Sequence, residues 1–215
     1  MALPIEREGL IYAPLHAGDL DAVAEMVASS FTDGSELGAL ALGVTAEDFK
    51  RFLNCLLPKF LRDGLSIVAR DTQTGEICGA QLNDEMGMDL PVDPSRFDWA
   101  GPLLALAGEL YRKYLEQGPV QMRECLHLFI IAVAGSARGK GISHQLLDLS
   151  LEIARARGYR RAVVEASGLV SQHLLRKGGF TPRVEIPYAT FEYQGTRPFR
   201  HTGRHPSIML MDRDL

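Results

Sequence analysis

Cysteine is scarce in this chain, and its spacing argues against a disulfide framework or a thiolate metal site. Cys55, Cys78 and Cys125 stand far apart in apolar stretches, and none of them forms a Cys-x-x-Cys pair. An odd number of isolated thiols is typical of a reduced protein. No metal site is therefore predicted.

Long apolar runs and a basic surplus are also missing. No stretch approaches the roughly 18 apolar residues of a membrane span, and residues 1–8 lack the pattern of a secretory signal. The formal net charge of -4 disfavours a general nucleic-acid binder and is compatible with cationic substrates such as amines. The sequence predicts a soluble, cytoplasmic protein with neither a nucleic-acid nor a membrane partner, as a monomer or homodimer.

Hydrophobic periodicity predicts a single domain over residues 1–215 in which helices and strands alternate. We expect a mixed α/β (α+β) fold: a mostly antiparallel sheet, a central parallel β-α-β unit over 126–166, and helices on both faces. Residues 84–120 resemble an insertion that lines a binding site. Helices are predicted from a cap at Asp19 to Phe31, from a cap at Thr45 to Pro58, and near 103–114, 141–157 and 171–177. Strands are predicted at 10–15, 66–70, 76–83, 126–133, 161–166, 181–186, 190–193 and 207–211.

A glycine-rich turn follows the most apolar strand, 126–133, whose composition predicts burial of both faces. Its glycines allow a ligand to approach the backbone, and the next helix directs free amides and its positive dipole end toward that ligand. Such a turn suits a phosphate, although it could also be a plain strand-to-helix connection. It is neither a P-loop nor a dinucleotide fingerprint, since His144 occupies the third glycine position. The turn reads Arg138, Gly139, Lys140, Gly141, Ile142, Ser143.

Two motifs at this point resemble those of the GCN5-related N-acetyltransferase (GNAT) superfamily. Arg138, Gly141 and Ser143 match Arg/Gln-x-x-Gly-x-Gly/Ala at a helix start, and residues 174–180 match the ending of the second motif in Gly-Phe. The resemblance implies the acyl-CoA N-acyltransferase fold, with acetyl-CoA as cosubstrate. It places the pyrophosphate on the turn 138–143 and the pantetheine arm along the strand before it, with an amide near Ile131 for the thioester carbonyl. The remaining cofactor-binding residues that it implies are Ile131, Ala132, Val133, Ser167 and Leu174.

The chain departs from the family pattern at two positions. Leu175 stands where many members carry a tyrosine acid, and Gly168 where they carry an asparagine that contacts pantetheine. The sequence is in this respect similar to the arylalkylamine N-acetyltransferases, especially the insect dopamine type. Those enzymes use serines in this region, where this chain has Ser167 and Ser171, and Ser171 is a predicted catalytic residue.

Three further residues are predicted to handle protons. His127 is a polar residue inside an apolar strand, at the first position of a His-x-His pair in the vertebrate arylalkylamine enzymes, with Phe129 replacing the second. Glu36 matches a loop glutamate of the insect type, and Asp33 is a secondary alternative. A satisfied core histidine and a solvated surface glutamate are the competing interpretations.

The resulting prediction is transfer of an acetyl group from acetyl-CoA to the primary amine of a small molecule, by direct attack. A protein or peptide amine is one alternative, because residues 84–98 are acidic and could attract a basic peptide. A coenzyme A-binding module without turnover is the other. The segment 198–206 is either a substrate-side flap or a long hairpin loop.

Overall fold

The computed structural model describes residues 3–33, 41–87, 91–118 and 120–215. Within them, eight strands form one sheet in the order β1-β2-β3-β4-β5-β6-β8-β7, antiparallel throughout except for the pair β5–β6. This confirms the predicted fold class. The strands are β1 Ile5–Arg7, β2 Leu10–Pro14, β3 Ile67–Asp71, β4 Ile77–Glu85, β5 Cys125–Val133, β6 Arg161–Ala166, β7 Thr181–Pro187 and β8 Ser207–Asp214.

Helices cover both faces of this sheet. The first three pack on one face, where α1 and α2 cover its centre and α3 covers β7 and β8; α4 and α5 pack on the opposite face. None of the described helices is long and apolar enough to cross a membrane. The helices are α1 Leu20–Phe31, α2 Ala46–Asp63, α3 Ala100–Leu115, α4 Ile142–Ala156 and α5 Leu169–Lys177.

The ends of two helices show where local signals succeed and fail. Thr45 caps α2 as predicted, since its hydroxyl accepts the Asp48 amide. The helix nevertheless continues through Pro58 to Asp63, because the buried side chains around that proline hold the chain in place. Asp19 makes no side-chain cap bond to α1; its carboxylate instead accepts the His16 amide and pairs with Arg70.

The predicted strand at 190–193 is wrong. The chain there forms a 3-10 turn at Tyr188–Thr190 and one isolated bridge between Tyr193 and Thr196. Aromatic packing explains the difference, because Phe199 of the following loop is buried against Tyr188 and Phe191. The segment 198–206 is thereby held down on the body of the domain.

A β-bulge in β5 decides which side chains reach which face of the sheet. Leu82 of β4 pairs with Ile130 and Asn83 pairs with Leu128, so Phe129 is an extra residue on β5. Phe129 and Ile130 both pack with α1 and α2, whereas Leu128 packs with α4 and α5. The predicted burial of both faces is wrong for alternate residues, because His127 and Phe129 are only partly buried.

The parallel pair β5–β6 comes apart halfway along its length. Backbone pairing runs from Cys125 opposite Arg161 to His127 opposite Val163 and then stops. Beyond that point β5 continues to Val133 with one edge free of β6. The two strands therefore leave an opening in the middle of the sheet.

Candidate functional site

The opening between β5 and β6 is a cavity of about 490 Å³. One end lies at the start of α4 and the other beside the end of α1, where Ser30 and Phe31 line it. The cavity thus connects the two faces of the sheet. Its lining includes most of the predicted binding residues, namely Ile131, Ala132, Val133, Arg138, Gly139, Gly141, Ile142, Ser143, Ser167, Ser171 and Leu174.

The α4 end of the cavity has the geometry of an anion site. Gly139 and Gly141 adopt left-handed φ values of 82° and 73°, which favour glycine. Gly141 is the N-cap residue of α4 and makes no side-chain hydrogen bond, so no capping side chain accepts from the first N–H groups of the helix. Arg138 adds positive charge and is paired with Asp33 at 2.6 Å. Lys140 is exposed and does not line the cavity.

Gly79 of β4 sets how closely α4 approaches the sheet at this end. A Cβ added at Gly79 would lie 2.7 Å from Cγ2 of Ile142 and 3.2 Å from Leu146. We expect Gly79→Ala to lower the free energy of unfolding by about 1–3 kcal/mol and to displace the start of α4. Urea unfolding checks this, with Gly108→Ala in α3 as control because its new Cβ meets open space. Equal midpoints for the two variants would contradict the expectation.

The two serines of the second motif make different hydrogen bonds, Ser171 through its hydroxyl and Ser167 through its backbone carbonyl. The Ser171 hydroxyl donates to the Gly168 carbonyl at 2.9 Å and accepts the Gly168 amide at 3.3 Å, at the start of α5. The Ser167 carbonyl accepts the Tyr188 hydroxyl at 2.7 Å. Both residues line the cavity, and the Ser171 bonds stabilise the helix start there.

His127 is the centre of a buried charged network. Its ring donates from Nδ1 to Asp84 at 2.9 Å and from Nε2 to Glu165 at 2.8 Å. Lys59 of α2 donates to Asp84 at 3.0 Å and to Asp63 at 2.5 Å. Four contacts therefore connect Glu165, which lines the cavity, to Asp63 near the surface.

Within the buried charged network, His127 and Glu165 stabilise each other's ionised form. Burial lowers the pKa of His127, but the Glu165 charge and the hydrogen bonds to both carboxylates outweigh it and raise that pKa to about 10. Burial raises the pKa of Glu165, but the His127 charge outweighs it and lowers that pKa below its usual value. At neutral pH, His127 is an imidazolium and Glu165 a carboxylate.

The structure separates the predicted proton-handling residues. His127 does not line the cavity and reaches it only through Glu165. Glu36 lies outside the described residues, and Asp33 is occupied by Arg138. Glu165 itself was missed by sequence reasoning; the available signal was an acidic residue inside the apolar strand 161–166, the same kind of signal that drew attention to His127.

No three His, Cys, Asp or Glu side chains in the described parts of the chain are grouped so that they could hold a metal ion. The groups that border the cavity include backbone amides, two arginines, three histidines and the Glu165 carboxylate, and one of the arginines, Arg138, is paired with Asp33. Such a set suits binding of a phosphate at one end and of a cation at the other.

Comparison with known proteins agrees with this geometry. Residues 107–180 match the model of the acetyltransferase (GNAT) family. Arylalkylamine N-acetyltransferase 2 from Aedes aegypti superposes with a TM-score of 0.79 at 22% identity, covering 96% of this chain and 99% of that one. The Drosophila melanogaster polyamine N-acetyltransferase, described as forming N-acetylagmatine, gives 0.73 at 16%, covering 96% and 100%. The C-terminal condensation domain of Ebony, in complex with beta-alanyl-dopamine, gives 0.78 at 20%, covering 96% and 99%.

The family match and the shared fold confirm the predicted resemblance to the GNAT superfamily. The family match also supports the predicted enzyme class, an N-acetyltransferase. The arylalkylamine and polyamine enzymes share the fold along nearly their whole length.

Proposed function

We propose that this chain, whose residues 107–180 match the model of the GNAT acetyltransferase family, transfers an acetyl group from acetyl-CoA to the primary amine of a small molecule. The observation that carries the proposal is the cavity between β5 and β6. It joins the uncapped start of α4, which suits a pyrophosphate, to a carboxylate that suits a cationic acceptor.

The residues present fit acetyl-CoA. The amides of the turn 138–143 and the Arg138 guanidinium would hold the pyrophosphate, with Asp33 giving way to it. The edge of β5 that β6 leaves unpaired, Leu128–Val133, offers backbone groups to the amides of the pantetheine arm. A β5 amide near Ile131 would hold the thioester carbonyl and stabilise the oxyanion during attack.

The reaction is a direct displacement. A primary amine is protonated near neutral pH and must lose one proton before its nitrogen attacks the thioester carbon. The new C–N bond forms, the C–S bond breaks, and the departing thiolate takes up a proton. Burial raises the pKa of the Cys125 thiol to about 11 and also raises that of Cys78, so neither is a reactive thiolate that would carry the acyl group.

The predicted catalytic residues take different parts in this proposal. Ser171 stabilises the start of α5 beside the cavity. Both ring nitrogens of His127 already donate to carboxylates, so His127 acts on the cavity through Glu165 rather than by removing the proton itself. Glu36 remains a proposed base.

A thiol-release assay with a panel of amines tests the proposal. Phenethylamine, tyramine, putrescine and agmatine represent small acceptors, and a lysine-containing peptide represents the protein alternative. We expect acetyl-CoA-dependent thiol release with at least one small amine, and the N-acetylated product by mass spectrometry. Turnover of the peptide alone would favour a protein acceptor. Binding of acetyl-CoA without any turnover would favour the silent module.

A further inference from the structure

Glu165 has an unusual position for an ionised side chain. It lies on β6 two residues beyond the last backbone pair between β5 and β6, where the strands separate. Its side chain is 17% exposed and borders the cavity. The lining otherwise contains arginines, histidines and uncharged residues, so among the described residues Glu165 is the carboxylate of this cavity.

The two oxygens of this carboxylate have different surroundings. Oε2 accepts the His127 ring at 2.8 Å, whereas the buried Oε1 has no partner with hydrogen-bond geometry among the described residues. The Tyr111 hydroxyl also interacts with this carboxylate and helps to lower its pKa. A buried charged oxygen without a well-placed donor is costly. The torsion of a carboxyl group is soft, so either oxygen can turn toward a donor in the cavity.

The surrounding charges leave a place for one more cation. Glu165 belongs to the buried charged network, which contains three carboxylates and two cations, namely Asp63, Asp84 and Glu165 with Lys59 and His127. These five side chains together carry one excess negative charge at neutral pH. Tyr111 of α3 packs edge-on to His127 at 6.4 Å and adds no charge, since burial, the Glu165 charge and a hydrogen-bond interaction with Glu165 raise its pKa well above the usual value.

Glu165 and the proposed position of the thioester belong to the same cavity. Glu165 lies on β6 where that strand separates from β5, and Ile131 lies on the part of β5 that β6 leaves unpaired. Both residues line the cavity. A cation at Glu165 therefore shares this cavity with the proposed position of the thioester.

We propose that Glu165 binds the cationic group of the acceptor amine, and that His127, Asp84 and Lys59 position its carboxylate from behind. This rests on the proposed acyl transfer and adds the residue that recognises the protonated acceptor. Neutral acceptors of the same shape are disfavoured because they leave the excess negative charge of the buried charged network uncompensated.

The first test measures Glu165→Gln, in which the amide oxygen still accepts His127 but the charge is gone. With the fastest amine of the panel, we expect kcat/KM to fall by about 30-fold or more, mainly through a higher KM for the amine. Acetyl-CoA affinity stays unchanged. Glu152→Gln on the exposed surface of α4 removes the same charge and should leave every value unchanged. Unaltered amine kinetics in a folded Glu165→Gln would overturn the proposal.

A second measurement uses the unaltered protein and does not depend on whether the variant folds. The protein–CoA complex is titrated with that amine and with the alcohol in which a hydroxyl replaces the amine. We expect the amine to bind at least about tenfold more tightly. Equal affinities would overturn the cation assignment, whereas failure to bind CoA at all would instead overturn the proposed function.

The positioning role has its own readout. In His127→Gln, the pH below which amine binding weakens should move upward, because the Glu165 carboxyl loses the cation that lowers its pKa. Asp84, Tyr111 and Lys59 are the other groups facing this pair, and they are unchanged in the variant. If His127 had only a structural role, the pH below which amine binding weakens would be the same in His127→Gln and in the unaltered protein.

Discussion

Replacing His127 by alanine is expected to lower the free energy of unfolding by about 3–5 kcal/mol, because it leaves buried carboxylates without their shared cation. Asp84 is 2% exposed and Glu165 17%, so water cannot replace the lost partner fully. Lys59 remains bound to Asp84, but Glu165 loses its cationic partner in the buried charged network. Urea unfolding at pH 6.5 measures the loss.

The pH dependence of this loss follows from the sign of the shift. Folding raises the pKa of His127 to about 10 from its ordinary 6.5, so its contribution is complete below pH 6.5 and disappears as the pH rises through 10. The stability gap between the unaltered protein and His127→Ala should therefore narrow between pH 7 and pH 10. His201→Ala, in an exposed loop, is the control. A gap that stays constant over this range would show that His127 is not charged in the folded protein.

Replacing Gly141 by valine is expected to weaken acetyl-CoA binding by about tenfold or more. A β-branched residue is strongly disfavoured at a φ of 73°, so the turn changes conformation and the first amides of α4 lose their alignment. The folded domain should persist, because the added side chain meets open space rather than the core.

Gly158→Val is the matched control for this experiment. Gly158 follows the other end of α4, has a φ of 85°, and also faces open space. Both variants should lose stability from backbone strain, but Gly158→Val should bind acetyl-CoA normally. Equal affinities in the two variants would remove the turn 138–143 from the proposed binding site.

The turn before α4 could be predicted because its signals are local. Two glycines, a preceding apolar strand and a following amphipathic helix stand within about 30 residues of one another, and backbone preferences decide their conformation. The helix start at Thr45 was predicted correctly for the same reason, because the cap lies within one turn of the helix. Pro58 shows the limit, since buried neighbours keep α2 helical beyond it.

The relation between His127 and Glu165 could not be predicted from the sequence. It depends on the register of the parallel pair β5–β6, which brings together side chains 38 positions apart, and on Asp84 from the neighbouring β4. The bulge at Phe129 likewise depends on how β4 pairs with β5. Sequence reasoning could identify a polar residue in an apolar strand but not its partner.

A calorimetric titration of the purified protein with acetyl-CoA tests the proposed function most directly. We predict saturable binding of one acetyl-CoA per chain that is lost or strongly weakened in Gly141→Val and retained in Gly158→Val. Absence of any acetyl-CoA binding to the unaltered, folded protein would contradict the assignment of the β5–β6 cavity and the acyl transfer built on it.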